Sequence, residues 1–211
     1  MRLHKGPLSF LHTMKNLCLS IQPSLIHRFY EILQSGFFVK CRTGISINAL
    51  LSGELGLNPR YVNERITTVF LDGSCVDNIE RAVIKEGSTL ALSSAMPGLA
   101  GATLRRDSVY ATLRSSITYE EKDDVCRDAE GSIRVKLFNL LIDELGPVFL
   151  QRGIMVKADE MIQFLKRQPE SFWVGCSDII FDGKTVDRSI VLDGEELARS
   201  DFIFLKITII T

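Results

Sequence analysis

The residues best suited to chemistry lie mid-chain, where Pro97-Gly98-Leu99-Ala100-Gly101 is followed by Arg105, Arg106 and Arg114. Glycines let backbone N–H groups come close to a ligand, and guanidinium forks match phosphate or carboxylate oxygens. Pro97, Gly98, Leu99, Gly101, Arg105, Arg106 and Arg114 are therefore the candidate ligand- or partner-binding residues, for an anion or an acidic protein surface. In the competing reading the glycines only turn the chain between domains and the arginines are solvated. No Gly-Lys-Ser/Thr follows the glycines, so this is not a Walker loop. Within the same stretch Val109, Ala111, Leu113, Ser115 and Ile117 alternate with Tyr110, Thr112, Arg114, Ser116 and Thr118. That pattern predicts a strand over 109–118 with Arg114 on its outer face.

Other constellations carry less. Glu120, Glu121, Asp123, Asp124, Asp128 and Glu130 are rich in oxygen ligands, but their spacing is not that of a calcium loop, and an acidic solvated loop is expected. The histidines, His4, His12 and His27, lie near the N-terminus, away from any Gly-framed nucleophile. Gly44-Ile45-Ser46-Ile47-Asn48 lacks the second glycine of a nucleophile elbow. Cys75 follows Gly73 and reads as a turn residue. Five cysteines without a C-x-x-C pair argue against a disulfide framework and against a metal site. Phe172 and Trp173 are expected to pack a core before they anchor a partner. Neither a metal nor a cofactor is expected.

The bulk composition narrows the class. Against 25 basic side chains stand 26 acidic ones, for a net charge of -1 over 211 residues, so no global field draws nucleic acid or anionic lipid. No apolar run approaches the length needed to span a bilayer, and His4, Lys5, His12, Lys15 and Asn16 break the early apolar stretches. The expectation is a cytoplasmic chain with no nucleic-acid or membrane partner. Residues 1–13 read as a tail or an upstream start, with Met14 opening the first repeat.

What must position the Gly/Arg stretch is a chain that repeats itself. Phe70-Leu71-Asp72-Gly73 to Asp77 reappears as Ile180-Phe181-Asp182-Gly183 to Asp187, and Gly44-Ile45-Ser46-Ile47 matches Gly153-Ile154-Met155-Val156 at nearly the same shift. Both halves read as strand, short turn or helix, strand, helix, strand, Gly turn, strand. In the second half Ile133–Leu137 alternates as a strand and Phe138–Leu145 is helical, broken by Gly146-Pro147. Val148–Gln151 is a short strand, Val156–Arg167 a helix with Met161, Ile162 and Leu165 on one face, and Phe202–Ile210 the closing strand. In the first half Leu17–Ile21, Phe37–Lys40, Thr68–Leu71 and Thr89–Leu92 are strands. Leu25–Leu33 and Ile47–Leu55 are helices.

Val135-Lys136-Leu137-Phe138, Gly153, the helix that follows, Phe181-Asp182-Gly183 and Asp201-Phe202-Ile203 together resemble the ubiquitin-like β-grasp sulfur carriers. These are the small subunit of molybdopterin synthase and the thiamine-pathway sulfur carrier. The first half is similar through Gly44–Ile47, Phe70–Gly73 and Glu86–Leu92. The resemblance implies an α+β chain of two tandem β-grasp domains, each a mixed sheet packed on a helix. The expected layout is a tail (1–13), a first domain (14–97), a connecting segment with a strand and an acidic loop (98–131), and a second domain (132–211).

In that family a C-terminal Gly-Gly is adenylated and carries sulfur as a thiocarboxylate. The second half closes on Lys206–Thr211, β-branched and without Gly-Gly, and Gly98 and Gly101 of the first half are separated and followed by more chain. The leading expectation is therefore a non-catalytic protein-interaction protein, with another protein as partner. The alternatives are a sulfur carrier or accessory subunit of molybdopterin- or thiamine-type cofactor synthesis, and a binder of a small anionic ligand through Gly98–Arg114.

Overall fold

A computed structural model describes residues 14–95, 97–120 and 129–210; the expected tail and most of the acidic loop lie outside them. In chain order the elements are β1 (Lys15–Ile21), a 3-10 turn (Pro23–Phe29), α1 (Tyr30–Ser35), β2 (Phe37–Thr43), a π-helical turn (Ala49–Glu54) and α2 (Pro59–Arg65). The hairpin β3 (Thr68–Leu71) and β4 (Ser74–Cys75) leads to β5 (Thr89–Ser93), α3 (Gly98–Leu104) and a 3-10 segment (Ala111–Ile117). Then come β6 (Ala129–Phe138), α4 (Leu140–Arg152), β7 (Ile154–Lys157), α5 (Ala158–Lys166), α6 (Glu170–Val174), β8 (Cys176–Phe181), β9 (Lys184–Thr185), α7 (Arg188–Asp193) and β10 (Phe202–Ile209). The class is α+β with mixed strand pairing. No helix of the described residues is long and apolar enough to cross a membrane.

The chain divides into two compact units, residues 27–149 and residues 1–26 with 150–211. These bounds differ from the expected 14–97 and 132–211, and strand pairing is the reason. In the first unit the strands run β4-β3-β5-β6-β2: β6 is parallel to β5 (Leu92 opposite Leu137) and antiparallel to β2 (Phe37 opposite Val135). In the other they run β7-β10-β1-β8-β9, with β1 parallel to β10 (Leu17 opposite Leu205) and antiparallel to β8 (Leu17 opposite Phe181). Each half of the chain thus lends its opening strand to the unit built from the other half.

The duplicated Asp-Gly turns take the same form in both units. Asp72 and Gly73 have φ of +50° and +85°, Asp182 and Gly183 +47° and +79°, the two left-handed residues that a tight hairpin matching strand twist requires. Each aspartate then clamps a neighbouring strand. The Asp72 carboxylate accepts the Thr89 N–H of β5 at 2.6 Å, and that of Asp182 accepts the Asn16 N–H of β1 at 2.9 Å and the Lys15 ammonium at 2.7 Å. β1 therefore fills, beside its hairpin, the place that β5 fills beside the other.

Alternation along the strands builds the cores. In residues 27–149, Phe37, Val69, Leu71, Leu90, Leu92, Val135 and Leu137 are buried with Leu50 and Leu51 of the π turn and Val62 of α2. In the other unit Leu17, Leu19, Ile203 and Leu205 are buried with Met161, Phe164 and Leu165 of α5. Phe172 and Trp173 join that core edge to face, their ring centroids 5.1 Å apart, the packing role expected of them.

Two expected elements are corrected. Gly146-Pro147 does not end a helix, and Val148–Gln151 is not a strand: α4 runs through to Arg152. Proline in a helix interior costs roughly 3 kcal/mol. Burial of Leu141, Ile142, Leu145 and Phe149 on one face of α4 offsets it. Gly146 lies where a Cβ would come within 2.7 Å of Leu33, so glycine serves close packing of α1 here. Residues 109–118 are not a strand either. Of the described residues of that stretch only Thr118 forms a ladder bridge, with Cys75, and without a partner strand the segment closes into 3-10 turns that meet at a kink at Arg114.

Candidate binding cleft

The cleft is built within residues 27–149 from three local structures. Asn58 caps α2 by accepting the Arg60 N–H at 2.8 Å, and Pro59 occupies the first turn, where its missing N–H costs nothing. α2 ends at Arg65 and delivers Thr67 to the mouth of β3. α3 starts after Pro97 and ends at Arg105, whose N–H returns to the Gly101 carbonyl at 3.1 Å. The Arg106 N–H donates to the Thr67 carbonyl at 2.8 Å, and its guanidinium Nη2 donates to the Val62 carbonyl at 3.1 Å. These two bonds bring α3 against residues some forty positions earlier.

Asp107, at φ +54°, turns the chain outward, and the Ser108 hydroxyl accepts the Tyr110 N–H at 3.2 Å. The result is a cleft of about 480 Å³, lined by Asn63, Thr67, Ala102, Arg105, Arg106, Asp107, Ser108 and Tyr110. Two of its buried polar atoms, Thr67 Oγ1 and Arg106 Nε, have no hydrogen-bond partner. Thr67 itself is 7% exposed. Buried polar groups are nearly always satisfied, so two unsatisfied ones on residues of the cleft lining mark this as the place to look for a ligand or ordered water. Burial pulls the Arg106 guanidinium below its ordinary range, while Asp107 and Asp77 pull it back up.

The predicted site residues separate into three groups. Arg105 and Arg106 line the cleft together. Pro97, Gly98 and Leu99 are exposed at the start of α3 and are not among its lining residues, while Gly101 is buried within that helix. Arg114 is the correction: it is 4% exposed rather than on an outer face. Its Nε donates to the Thr103 carbonyl at 2.6 Å, its Nη1 to Thr118 Oγ1 at 3.3 Å, and its Nη2 to the Asp77 carboxylate. With every arm of the guanidinium engaged, Arg114 fastens α3 to the 3-10 segment and is not available to a ligand.

Asn63, Thr67, Asp107, Ser108 and Tyr110 were not anticipated. Arg105-Arg106-Asp107-Ser108-Val109-Tyr110 does place two cations, a carboxylate, a hydroxyl and an aromatic ring within six residues. That density was the available signal. For metal binding, no group of three His, Cys, Asp or Glu suited to an ion occurs among the described residues. Glu121, Asp123, Asp124 and Asp128 lie outside them. No protein-family model matches the chain, nor does any curated protein or solved structure.

Proposed function

We propose that this chain is a cytoplasmic, non-catalytic binding protein derived from the β-grasp fold, and that the cleft between α2, α3 and the 3-10 segment takes an anionic group. One observation carries the reading: Thr67 Oγ1 and Arg106 Nε are buried donors without partners, beside the exposed Arg105. A carboxylate or phosphate offers the oxygen acceptors that such donors lack, and charge-assisted hydrogen bonds to Arg105 and Arg106 are the strong kind. The central parallel strand pair flanked by antiparallel strands in each unit supports the β-grasp reading. Sulfur carriage fits less well, because Gly98 and Gly101 sit inside α3 rather than on an extended tail able to thread a partner's active site.

The test is thermal melting in sodium acetate or phosphate against sodium chloride at constant ionic strength. The wild type is expected to gain several degrees with a saturating dependence on the anion, as mass action requires. Arg105→Gln combined with Arg106→Gln is expected to abolish the gain. An equal gain in that variant overturns the assignment.

A further inference from the structure

The cleft opens onto an unusually apolar surface. Five of the nine exposed large apolar residues among the described residues fall in one stretch of α3 and the 3-10 segment: Leu99 (66% exposed), Val109 (85%), Tyr110, Leu113 (69%) and Ile117. Leu99 stands one turn before Ala102 on α3, so it shares the face of the helix that Ala102 gives to the cleft lining. On the opposite wall the Leu113 N–H donates to the Tyr110 carbonyl at 3.0 Å, a single 3-10 turn, in which residues three apart lie one above the other. Leu113 is thus stacked in line with Tyr110 of the cleft. Along the chain, Arg105 and Arg106 thus lie between exposed apolar residues of α3 and of the 3-10 segment.

Charge selects the occupant. Arg105 and Arg106 contribute two positive charges to the lining and Asp107 one negative, a balance of one positive charge. That matches a single carboxylate better than a dianionic phosphate. A small anion leaves Leu99, Val109 and Leu113 in water, whereas a protein segment covers them, and concentrated exposed apolar surface of this kind marks interaction sites. We propose that the cleft docks an acidic segment of a partner protein, with one aspartate or glutamate carboxylate on Arg105 and Arg106 and apolar side chains on either side against Leu99 and Leu113. This rests on the anion reading of the cleft. The apolar contacts supply affinity through burial and the carboxylate fixes register, the division seen where charged anchors lie in apolar surroundings.

The experiment selects a random dodecapeptide library, displayed on phage, against the full chain. Enriched peptides are expected to share one Asp or Glu with a large apolar residue within about three positions on each side, the reach of a short extended segment. Replacing that acid by its amide should weaken binding at least tenfold. So should Leu99→Ser with Leu113→Ser, measured singly and together with circular dichroism to confirm folding. These two exposed replacements should leave acetate-dependent thermal stabilisation unchanged, whereas Arg105→Gln with Arg106→Gln should remove both signals. A consensus without an acid, or binding indifferent to Leu99 and Leu113, overturns the proposal. Absence of enrichment in a protein that acetate stabilises overturns the peptide partner while leaving the anion site standing; absence of both removes the two together.

Discussion

Replacing Arg114 by leucine should cost far more stability than replacing Arg105, although both are arginines of one short stretch. Leucine keeps most of the side-chain stem but strands what the guanidinium satisfied: the Asp77 carboxylate, the Thr103 carbonyl at 2.6 Å and the Thr118 hydroxyl at 3.3 Å. Breaking a buried ion pair from one side costs roughly 3–5 kcal/mol. The Arg114 side chain is 3% exposed but that of Asp77 is 33% exposed, so water recovers part of the loss. We therefore expect about 3 kcal/mol, more than a hundredfold in the folding equilibrium, and a fall in Tm of about 6–12 °C for a chain of this size. Arg105→Leu, at an exposed position, should stay within about 0.5 kcal/mol. Urea denaturation followed by circular dichroism measures both. A loss in Arg114→Leu below about 1 kcal/mol, the ordinary worth of one hydrogen bond, would refute the claim that Arg114 is a fastener rather than a ligand-binding residue.

Three further outcomes follow from other parts of the molecule. The Arg65 guanidinium, hydrogen-bonded to Glu144, and the Tyr61 hydroxyl at 2.6 Å hold the Glu144 carboxyl below its ordinary value of 4.5 against the opposing effect of burial. The stability this contributes is complete above about pH 4.5 and is lost as pH falls through the lowered value. Glu144→Gln should accordingly be less stable than wild type at pH 7, with the gap closing in acid, and a gap constant from pH 7 to 3 contradicts this. Burial, with nearby carboxylates adding, pushes Cys41 up to about 12 and Cys176 to about 11, and burial raises Cys75 as well. Peptide-level mass spectrometry at pH 8 should show these three alkylated by iodoacetamide more slowly than free cysteine, and labelling of any at the free rate refutes it. Gly153 has φ +100° and a Cβ there would lie 2.1 Å from the Phe204 ring, whereas Gly183, at φ +79°, faces open space. Gly153→Ala should cost about 2–4 kcal/mol from overpacking plus backbone strain, and Gly183→Ala about 1–2 from strain alone. Urea unfolding followed through Trp173 fluorescence ranks them, and equal losses contradict the packing argument.

Much of the local structure was legible. Asp72-Gly73 and Asp182-Gly183 announce hairpins because few other residue pairs accept two consecutive left-handed conformations, and both turns have that geometry. The strands around Val69, Leu90, Val135 and Leu205 follow from alternation that buries one face. Strand partnership was not legible. Leu17-Cys18-Leu19-Ser20-Ile21 can lie beside any strand with the same period, and only the completed sheet, with Asp182 gripping Asn16, selects β8 and β10. Gly146-Pro147 carries a correct local signal that tertiary packing overrides. Arg114 misled because a charged residue in an alternating stretch reads as exposed, and its partner Asp77 is 37 positions away. In the cleft, the Arg105-Arg106 pair stood out by type, whereas Thr67 joins it only through the Arg106 N–H bond to its carbonyl.

The most direct test of the anion-binding cleft is a nitrogen-15 NMR titration of the full chain with sodium acetate, chloride compensating the ionic strength. Saturable shifts of the Thr67, Arg106, Asp107 and Ser108 amides, absent in Arg106→Gln, are the predicted result. Shifts that are linear in acetate, centred elsewhere, or unchanged in Arg106→Gln contradict it.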